Sequence, residues 1–308
     1  MRRRFRARAV GAILGLALVA TACGSGDGAE DDTAPEGDPI RIASFNFNES
    51  VIVAEIYAQG LEANGYTVER QLNLGNREVV KPALEGGDID LVPEYTGSVG
   101  GFLEVEQSAD EDTMWESART AFEELGVTLL AYSPAQDKNA YVVTGETAEE
   151  FGLTTVSDLQ PVAGELVFGG PPECPERPLC LPGLQEVYGL EFAEFVPLDA
   201  GGPITVAALE GGEIDVGLLF TTSGVIAANE WVSLEDDMGL NPAENVVPAI
   251  RTEVVDAYGD DLVALLDSYS EALTTEDLTA MNARADLEQE DPALIAEEWL
   301  NENGFIEG

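Results

Sequence analysis

From residue 40 onwards, segments whose apolar positions have the two-residue period of strands alternate with segments that have the 3.6-residue period of helices. Short apolar or alternating runs, as in residues 40–47, 66–74 and 88–95, predict strands, and the longer segments between them carry the 3.6-residue period of helices. The alternation continues until three helical segments follow one another between residues 260 and 304. This order predicts an α/β fold in which parallel strands dominate the sheets and helices flank them.

One phrase of this pattern occurs twice. Residues 83–97 read ALEGGDIDLVPEYTG and residues 208–222 read ALEGGEIDVGLLFTT, so that a helix ending at Gly-Gly precedes a short strand in both. Each copy has an aromatic residue at the end of its strand, Tyr95 or Phe220. Because open α/β sheets bind ligands outside the carboxyl ends of their strands, two lobes of this kind would direct both rings into a shared crevice. An old duplication without function is the alternative interpretation.

The charge of the chain is unbalanced, with 14 basic residues, 59 acidic residues and a formal net charge of −45. Such a chain repels nucleic acid and anionic membrane surfaces, and it tolerates cationic or zwitterionic small molecules. Adaptation to a salty habitat is the simplest cause of the acidity. The chain also has no histidine, which excludes a Ser-His-Asp triad and a histidine-ligated metal. We expect no catalytic residue, no metal and no cofactor.

The N-terminus has the sequence of an export signal, with a basic start, an apolar stretch too short to span a bilayer, and small residues before Cys23. We expect residues 1–22 to be a signal peptide. Cys23 is expected to carry a lipid, because the segment before it resembles a bacterial lipoprotein cleavage site; ordinary cleavage near Ala22 is the alternative. Residues 23–39, rich in Gly, Pro and acids, then predict a disordered tether. The expected location is the outer face of the cytoplasmic membrane, which the protein contacts only through its lipid anchor.

Two further cysteines, Cys174 and Cys180, lie in the segment ECPERPLC. In an exported chain we expect them to form a disulfide, because the compartment is oxidising and zinc would need further ligands. Closing so short a loop would stabilise the fold by about 2 to 3 kcal/mol and would stiffen the residues inside it.

Long segments of the chain resemble one known family. Residues 43–98, which begin ASFNFNESVIVAEIYAQGLEANG and end VPEYTGS, are similar to the first lobe of the substrate-binding proteins of osmoprotectant ABC importers, which take up glycine betaine, choline and carnitine. The segments PPECPERPLCLPGLQEVYGL and GGPITVAALEGGEIDVGLLFTT resemble the second lobe. The resemblance implies a two-lobed periplasmic-binding-protein fold of type II-like form. Such a protein closes on a small zwitterionic or cationic solute by hinge motion and delivers it to a membrane permease. We expect a monomer.

The same resemblance implies a cage of aromatic rings around a trimethylammonium group. Tyr95 and Tyr141 fall on cage tyrosine positions, and Phe220 falls where many relatives have tyrosine. The chain departs from the family pattern at Val206, near the position of a further cage tyrosine, and at Phe45, where relatives often have lysine.

Polar contacts to the solute are implied in the same way. Arg177 matches a family arginine near the ligand, and a surface salt bridge to Glu173 or Glu176 is its alternative role. Asn46 would donate a hydrogen bond from the other lobe. Two threonines at matching positions of the repeat would bind the ligand or only complete their strands: Thr96 and Thr221.

Two crossings between the lobes are expected, near Pro134 and Thr222. Lobe 1 would combine residues 40–135 with 223–308, and lobe 2 would be residues 136–222.

Two alternative functions remain open on the sequence. One keeps the fold but binds a solute without a quaternary amine. The other is an exported carboxylate-dependent hydrolase, for which Glu94 is the acid we nominate and which needs a second carboxylate about 5 to 9 Å away.

Overall fold

The computed structural model describes residues 37–306 of the chain. The expected signal peptide, Cys23 and most of the expected tether lie outside these residues. Within them, no helix combines the length and the apolar character that crossing a membrane requires.

Ten strands and twelve α-helices alternate along the described chain. The strands are β1 Ile40–Phe45, β2 Val68–Gly75, β3 Leu91–Tyr95, β4 Val127–Leu129, β5 Asn139–Val143, β6 Val167–Gly170, β7 Glu194–Pro197, β8 Val216–Phe220, β9 Val232–Ser233 and β10 Val246–Arg251. The helices are α1 Asn48–Ala63, α2 Arg77–Gly86, α3 Thr96–Phe102, α4 Glu111–Glu123, α5 Gly145–Phe151, α6 Leu181–Tyr188, α7 Pro203–Glu210, α8 Gly224–Ala228, α9 Thr252–Tyr258, α10 Asp260–Ala272, α11 Thr275–Leu287 and α12 Pro292–Glu302.

The strands form two five-stranded sheets on one plan. The first sheet has the order β2-β1-β3-β10-β4 and the second has the order β7-β6-β8-β5-β9. In each sheet three neighbouring strands are parallel, and the fourth strand, β10 or β5, runs antiparallel to both of its neighbours. The pairing is therefore mixed. Four of the five strands in each sheet still run in one direction, as predicted, and the strand that runs against them, β10 or β5, enters its sheet after the chain has crossed from the other one.

Two segments connect the sheets. The first crossing, residues 130–138, leads from β4 to β5, and the second crossing, residues 234–245, leads from β9 to β10. The crossings run side by side, since the backbone N–H of Asp137 donates to the carbonyl oxygen of Glu244 at 3.0 Å. β9 follows Thr222 in the sequence but still pairs with β5 of the second sheet. The chain therefore returns to the first sheet after β9, later than the expected boundary near Thr222. Between β8 and β9, helix α8 packs against α11.

The repeated phrase folds in the same way in both lobes. Left-handed glycines follow α2 and α7, Gly87 with φ 74° and Gly212 with φ 69°. Asp90 and Asp215 come next, and each carboxylate accepts a hydrogen bond from a backbone N–H of the neighbouring parallel strand, at 2.9 Å in β1 and 2.7 Å in β6. The aspartates fix where β3 and β8 start, so these positions of the repeat have a structural cause.

The first helix, α1, is buried and begins at the cleft. α1 is buried along most of its length because it packs against β1 and α12, and its sequence is apolar nearly all round. Glu49, in its first turn, is nevertheless buried as well. A buried acid at this point needs hydrogen-bond donors, and the cleft supplies them.

Candidate ligand-binding site

A cavity of about 130 Å³ lies where the last residues of β1, β3 and β8 meet. Both lobes and the disulfide loop contribute to its wall. Its main side chains are Phe45, Asn46, Phe47, Arg77, Tyr95, Phe102, Asp137, Asn139, Arg177, Leu179, Leu218 and Phe220. The cavity is thus an aromatic chamber with two arginines and two acids, Asp137 and Glu173, in its wall.

The two aromatic residues of the repeat meet in this cavity, with Phe47 between them. The ring centroid of Phe47 lies 5.9 Å from that of Tyr95 and 5.3 Å from that of Phe220. It also stacks in parallel on Phe45 at 6.1 Å. Phe47 immediately precedes α1 and was missed in the sequence, where only its neighbours Phe45 and Asn46 were singled out. Asn46 is exposed and lines the cavity.

The hydroxyl of Tyr95 belongs to a buried network at the back of the cavity. It donates to Glu49 Oε1 at 2.8 Å, and Glu49 Oε2 accepts from Thr222 Oγ1 at 2.7 Å and from Asn282 Nδ2 at 2.6 Å. Burial raises the pKa of Glu49, and the three donors oppose that rise. Glu49 lies in α1, which packs against the first sheet, and Thr222 follows β8 of the second sheet, so the network also joins the lobes.

A second buried acid, Asp137, stands on the first crossing beside this network. Its Oδ1 accepts from the backbone N–H of Thr222 at 3.1 Å, so Thr222 donates to both acids, through its hydroxyl to Glu49 and through its N–H to Asp137. Burial, followed by the charge of Glu49, raises the pKa of Asp137 well above its usual range. Two desolvated carboxyl groups at one place resist being ionised together, and a cation close to them would favour their charged forms.

The sequence did not reveal the role of Arg77, the first residue of α2. Its side chain is buried, and Nη2 contacts Glu94 Oε2 at 2.7 Å while Nε donates to Oε1 at 3.1 Å. The guanidinium carbon lies 5.0 Å from the ring centroid of Phe45, in cation–π contact. Glu94, the acid nominated for hydrolysis, is therefore engaged in a buried salt bridge.

Arg177 lies at the cavity, but its carboxylate partner is not in its own loop. Nη2 pairs with Glu78 of α2 at 2.8 Å, across the cleft, and not with Glu173 or Glu176. The guanidinium also lies 5.0 Å from the ring centroid of Phe102. Burial, followed by repulsion from the nearby Arg77, lowers the pKa of Arg177.

One nitrogen of this guanidinium is left without a bond. Nε of Arg177 is buried and has no hydrogen-bond partner among residues 37–306. A buried donor of this kind is costly to leave unpaired, so it favours a ligand acceptor such as a carboxylate oxygen.

The predicted disulfide between Cys174 and Cys180 is confirmed. It closes the loop that carries Arg177 and Leu179 to the cavity wall. The carbonyl oxygen of Leu179 accepts a hydrogen bond from Asn139 Nδ2 at 2.7 Å, which fastens the loop to β5.

Tyr141 lies deeper than its assignment to the cage requires. Its ring is buried in the core of the second lobe, 6.3 Å from the ring of Phe168, and its hydroxyl donates to the carbonyl oxygen of Leu179. Because β5 runs antiparallel to β8, Asn139 pairs with Phe220 at the cleft and Tyr141 pairs with Leu218 further in. Among the described residues, Asn139 therefore replaces Tyr141 in the cavity wall.

The two threonines of the repeat form hydrogen bonds to the backbone of the crossings, and neither belongs to the described lining of the cavity. The hydroxyl of Thr96 donates to the carbonyl oxygen of Ala243 at 3.1 Å, in the second crossing. The hydroxyl of Thr221 accepts from the backbone N–H of Lys138 at 2.9 Å, in the first crossing. Each threonine thus fastens the end of a cleft strand to a crossing.

Glu244 forms a similar contact from the second crossing. Its carboxylate accepts from the backbone N–H groups of Gly97 at 2.8 Å and Ser98 at 2.9 Å, and from the Ser98 hydroxyl. Burial raises the pKa of Glu244 to about 7 from an ordinary value of 4.5.

We expect this raised pKa to make stability depend on pH. The folded chain holds the Glu244 proton more tightly than the unfolded chain, so its contribution is complete below pH 4.5 and is lost as the pH rises to about 7. The loss corresponds to about 3 kcal/mol. In urea unfolding across this range, Glu244→Gln should remove that part of the pH dependence, whereas Glu150→Gln, at an exposed acid, should keep it. Parallel profiles for Glu244→Gln and the wild type would contradict the assignment.

Comparison with known proteins agrees with this architecture. The family described as the substrate-binding domain of ABC-type glycine betaine transport systems matches residues 38–302. The glycine-betaine-binding protein of Pseudomonas aeruginosa is 29% identical over 284 residues, which cover 88% of this chain and 90% of that protein. The carnitine transport binding protein OpuCC of Listeria monocytogenes is 28% identical over 276 residues, which cover 88% and 89%.

The fold is confirmed by a solved structure. A crystal structure described as a glycine betaine/carnitine/choline ABC transporter superposes with a TM-score of 0.68 at 24% sequence identity, over 86% of this chain and 99% of that one. The family match spans both sheets and both crossings. The chain therefore belongs to the family of substrate-binding domains of ABC-type glycine betaine transport systems.

Proposed function

We propose that this chain captures a quaternary-amine solute of the glycine betaine, choline or carnitine type between its lobes, delivers it to the permease of an ABC importer and catalyses no reaction. The observation that carries the proposal is the cluster of Phe47, Tyr95 and Phe220 beside the buried acids. Family membership and the named ligands of two relatives support it.

The aromatic cluster suits a trimethylammonium group for two reasons. Ring faces attract a diffuse cation, by about 0.5 to 2 kcal/mol each, and they also bury its methyl groups. Asp137 lies in the same wall and Glu49 lies behind Tyr95, so a positive charge there would favour ionisation of these acids and be balanced by it without a direct ion pair. A primary ammonium would instead lose most of its hydration without gaining three hydrogen-bond acceptors from rings.

The arginines suit the carboxylate of a zwitterionic solute. Arg177 offers its unpaired Nε, and Arg77 adds positive charge from the other lobe. Both arginines already hold a glutamate, however, so the net field in the cavity does not favour an anion without a cationic group. A solute that carries both charges, or only the positive one, therefore fits best.

A hydrolase is supported less well. Its nominated acid, Glu94, is paired with Arg77. Glu49 and Asp137 both accept hydrogen bonds from Thr222 and so stand together, whereas glycoside hydrolysis needs one carboxylate on each side of the scissile bond. Glu173 also lines the cavity, from the disulfide loop.

Export and lipid attachment at Cys23 belong to the same proposal. Together with the expected tether of residues 23–39, they would hold the two lobes close to a permease in the cytoplasmic membrane. Mass spectrometry of the N-terminal peptide from membranes tests the lipid directly.

Calorimetric titration of the folded, ligand-stripped chain tests the solute. We expect saturable binding of glycine betaine, choline or carnitine, weakened at least tenfold when one methyl is removed, as in dimethylglycine, because a proton on nitrogen then replaces a contact with a ring. Proline and putrescine serve as controls without a quaternary nitrogen. Tight binding of a control, with no heat from the quaternary amines, would mean that the protein binds a solute of another class.

A further inference from the structure

A second cavity, of about 120 Å³, adjoins the aromatic chamber. The two cavities share part of their wall, including the rings of Phe47 and Phe220 and the side chain of Asp137. Beyond the rings the wall becomes polar, and we call this second cavity the acid chamber. Its further polar side chains are Asn48, Glu49, Asn73, Asp199, Thr222, Ser223, Asn282 and Asp286. Because the two cavities share a wall, a group attached to a solute in the aromatic chamber has the acid chamber beside it.

Four acids meet at the acid chamber without a basic partner. Glu49 and Asp137 are buried, Asp199 is half-buried, and Asp286 is exposed. They come from four separate parts of the chain: α1, the first crossing, the loop before α7, and α11. None of them forms a salt bridge with a lysine or arginine of residues 37–306, and the described lining of the chamber contains no basic side chain. Such a cavity attracts a positive charge.

The acid chamber also has a hydrogen-bond acceptor that the protein leaves unused. Asn282 lines the chamber and is 4% exposed, and its Nδ2 donates to Glu49 Oε2 at 2.6 Å and to Thr222 Oγ1 at 3.0 Å. Its Oδ1 has no partner among residues 37–306. Leaving a buried amide oxygen unpaired is costly, so this position favours a ligand that brings N–H donors.

A primary ammonium group suits these acceptors better than a metal ion does. It carries one positive charge and three N–H donors, which can reach acceptors that are spread around the wall. A calcium or magnesium ion instead needs its oxygen ligands gathered around one point. Among the described residues, no three Asp, Glu, Cys or His side chains are grouped in that way.

We propose that the acid chamber is a second subsite for the solute, which takes a protonated amine joined by a short carbon arm to the quaternary nitrogen in the aromatic chamber. The substrate class would then include organic dications as well as the zwitterions and monocations. With two positive charges in place, Glu49 and Asp137 can both be ionised, because the pair no longer lacks a cation. The inference rests on the proposed function, since the quaternary nitrogen must occupy the aromatic chamber.

Two probes of matched length test the subsite. They are (3-aminopropyl)trimethylammonium and butyltrimethylammonium, in which a methyl group replaces the amine. In calorimetry with the folded, ligand-stripped chain, the amine should have a dissociation constant lower by about tenfold or more, because only its arm pairs with the acids. Putrescine should stay weak, because it has two primary ammonium groups and no quaternary nitrogen for the rings.

The ratio of the two dissociation constants is the measurement for variants, because effects on lobe closure cancel in it. Asp137→Asn and Asp286→Asn keep the side-chain shape and should each lower the ratio by about threefold or more. Glu173→Gln, at an acid that lines only the aromatic chamber, is the matched control. It should change both affinities alike and keep the ratio within about twofold. Asp286 is exposed, so its variant tests the subsite even if Asp137→Asn unfolds.

The outcomes separate this inference from the proposed function. Equal dissociation constants for the two probes, or a ratio that neither Asp137→Asn nor Asp286→Asn changes, would overturn the second subsite and leave quaternary-amine capture standing. If the folded wild type bound none of the quaternary amines, glycine betaine, choline and carnitine included, the proposed function itself would be refuted.

Discussion

Glu94→Gln is expected to lower the free energy of unfolding by about 3 to 5 kcal/mol, because it leaves Arg77 charged and buried without its carboxylate. The arginine cannot escape by losing its proton, since a guanidinium stays charged in proteins. Its contact with the ring of Phe45 offsets only a fraction of the desolvation cost. Urea unfolding at pH 7 measures the change.

Two further variants show whether the loss comes from the unpaired charge. Replacing both partners with apolar residues, Arg77→Met with Glu94→Leu, should recover most of the stability, because no buried charge remains. Glu116→Gln, which breaks an exposed pair with Arg119 on α4, should lower the free energy of unfolding far less, because water already solvates both charges. If Glu94→Gln were as mild as Glu116→Gln, Arg77 would have to reach water through the cleft.

Phe47→Ala is expected to weaken binding of the quaternary amine by about 2 kcal/mol, roughly 30-fold. The variant removes one ring face and also the support that this ring gives to Tyr95 and Phe220, both within 6 Å of it. The loss should appear in the dissociation constant from calorimetry, with little change in the unfolding midpoint, because the side chain is only partly buried.

The choice of replacement separates the charge effect from the apolar contact. Phe47→Tyr keeps a π face and should bind nearly as the wild type does. Phe47→Leu keeps apolar volume but no ring, and it should fall close to Phe47→Ala if cation–π attraction dominates. Wild-type affinity in Phe47→Leu would mean that methyl contacts alone hold the solute.

Local patterns in the sequence predict most of the secondary structure and two of the three central rings. The alternation of periods indicates the helices and strands, and the repeat identifies Tyr95 and Phe220 because both end a strand that follows the same turn. Tyr141 was misplaced because its depth depends on β5 running antiparallel to β8. The direction of β5 depends on how the chain crosses between the lobes, and local hydrophobic patterns do not indicate this.

The polar part of the site was harder to predict for a similar reason. Arg77 and Glu94 are 17 residues apart, and Glu49 meets Thr222 across 173 residues. In a chain with 59 acids, nothing in the sequence singles out the few that are buried. Phe47 differs, because an aromatic residue directly after a strand that ends at the cleft is a signal that could have been used.

The hydroxyls of Thr96 and Thr221 have a consequence for how affinity can be tuned. Each follows a cavity ring, Tyr95 or Phe220, and each is bonded to the backbone of a crossing. A change of angle between the lobes therefore displaces the rings as it displaces the crossings, and the shape of the binding chamber is a function of that angle. Evolution can then adjust how tightly the cargo is held, or how readily it is released, by substitutions along the crossings that never touch the cargo.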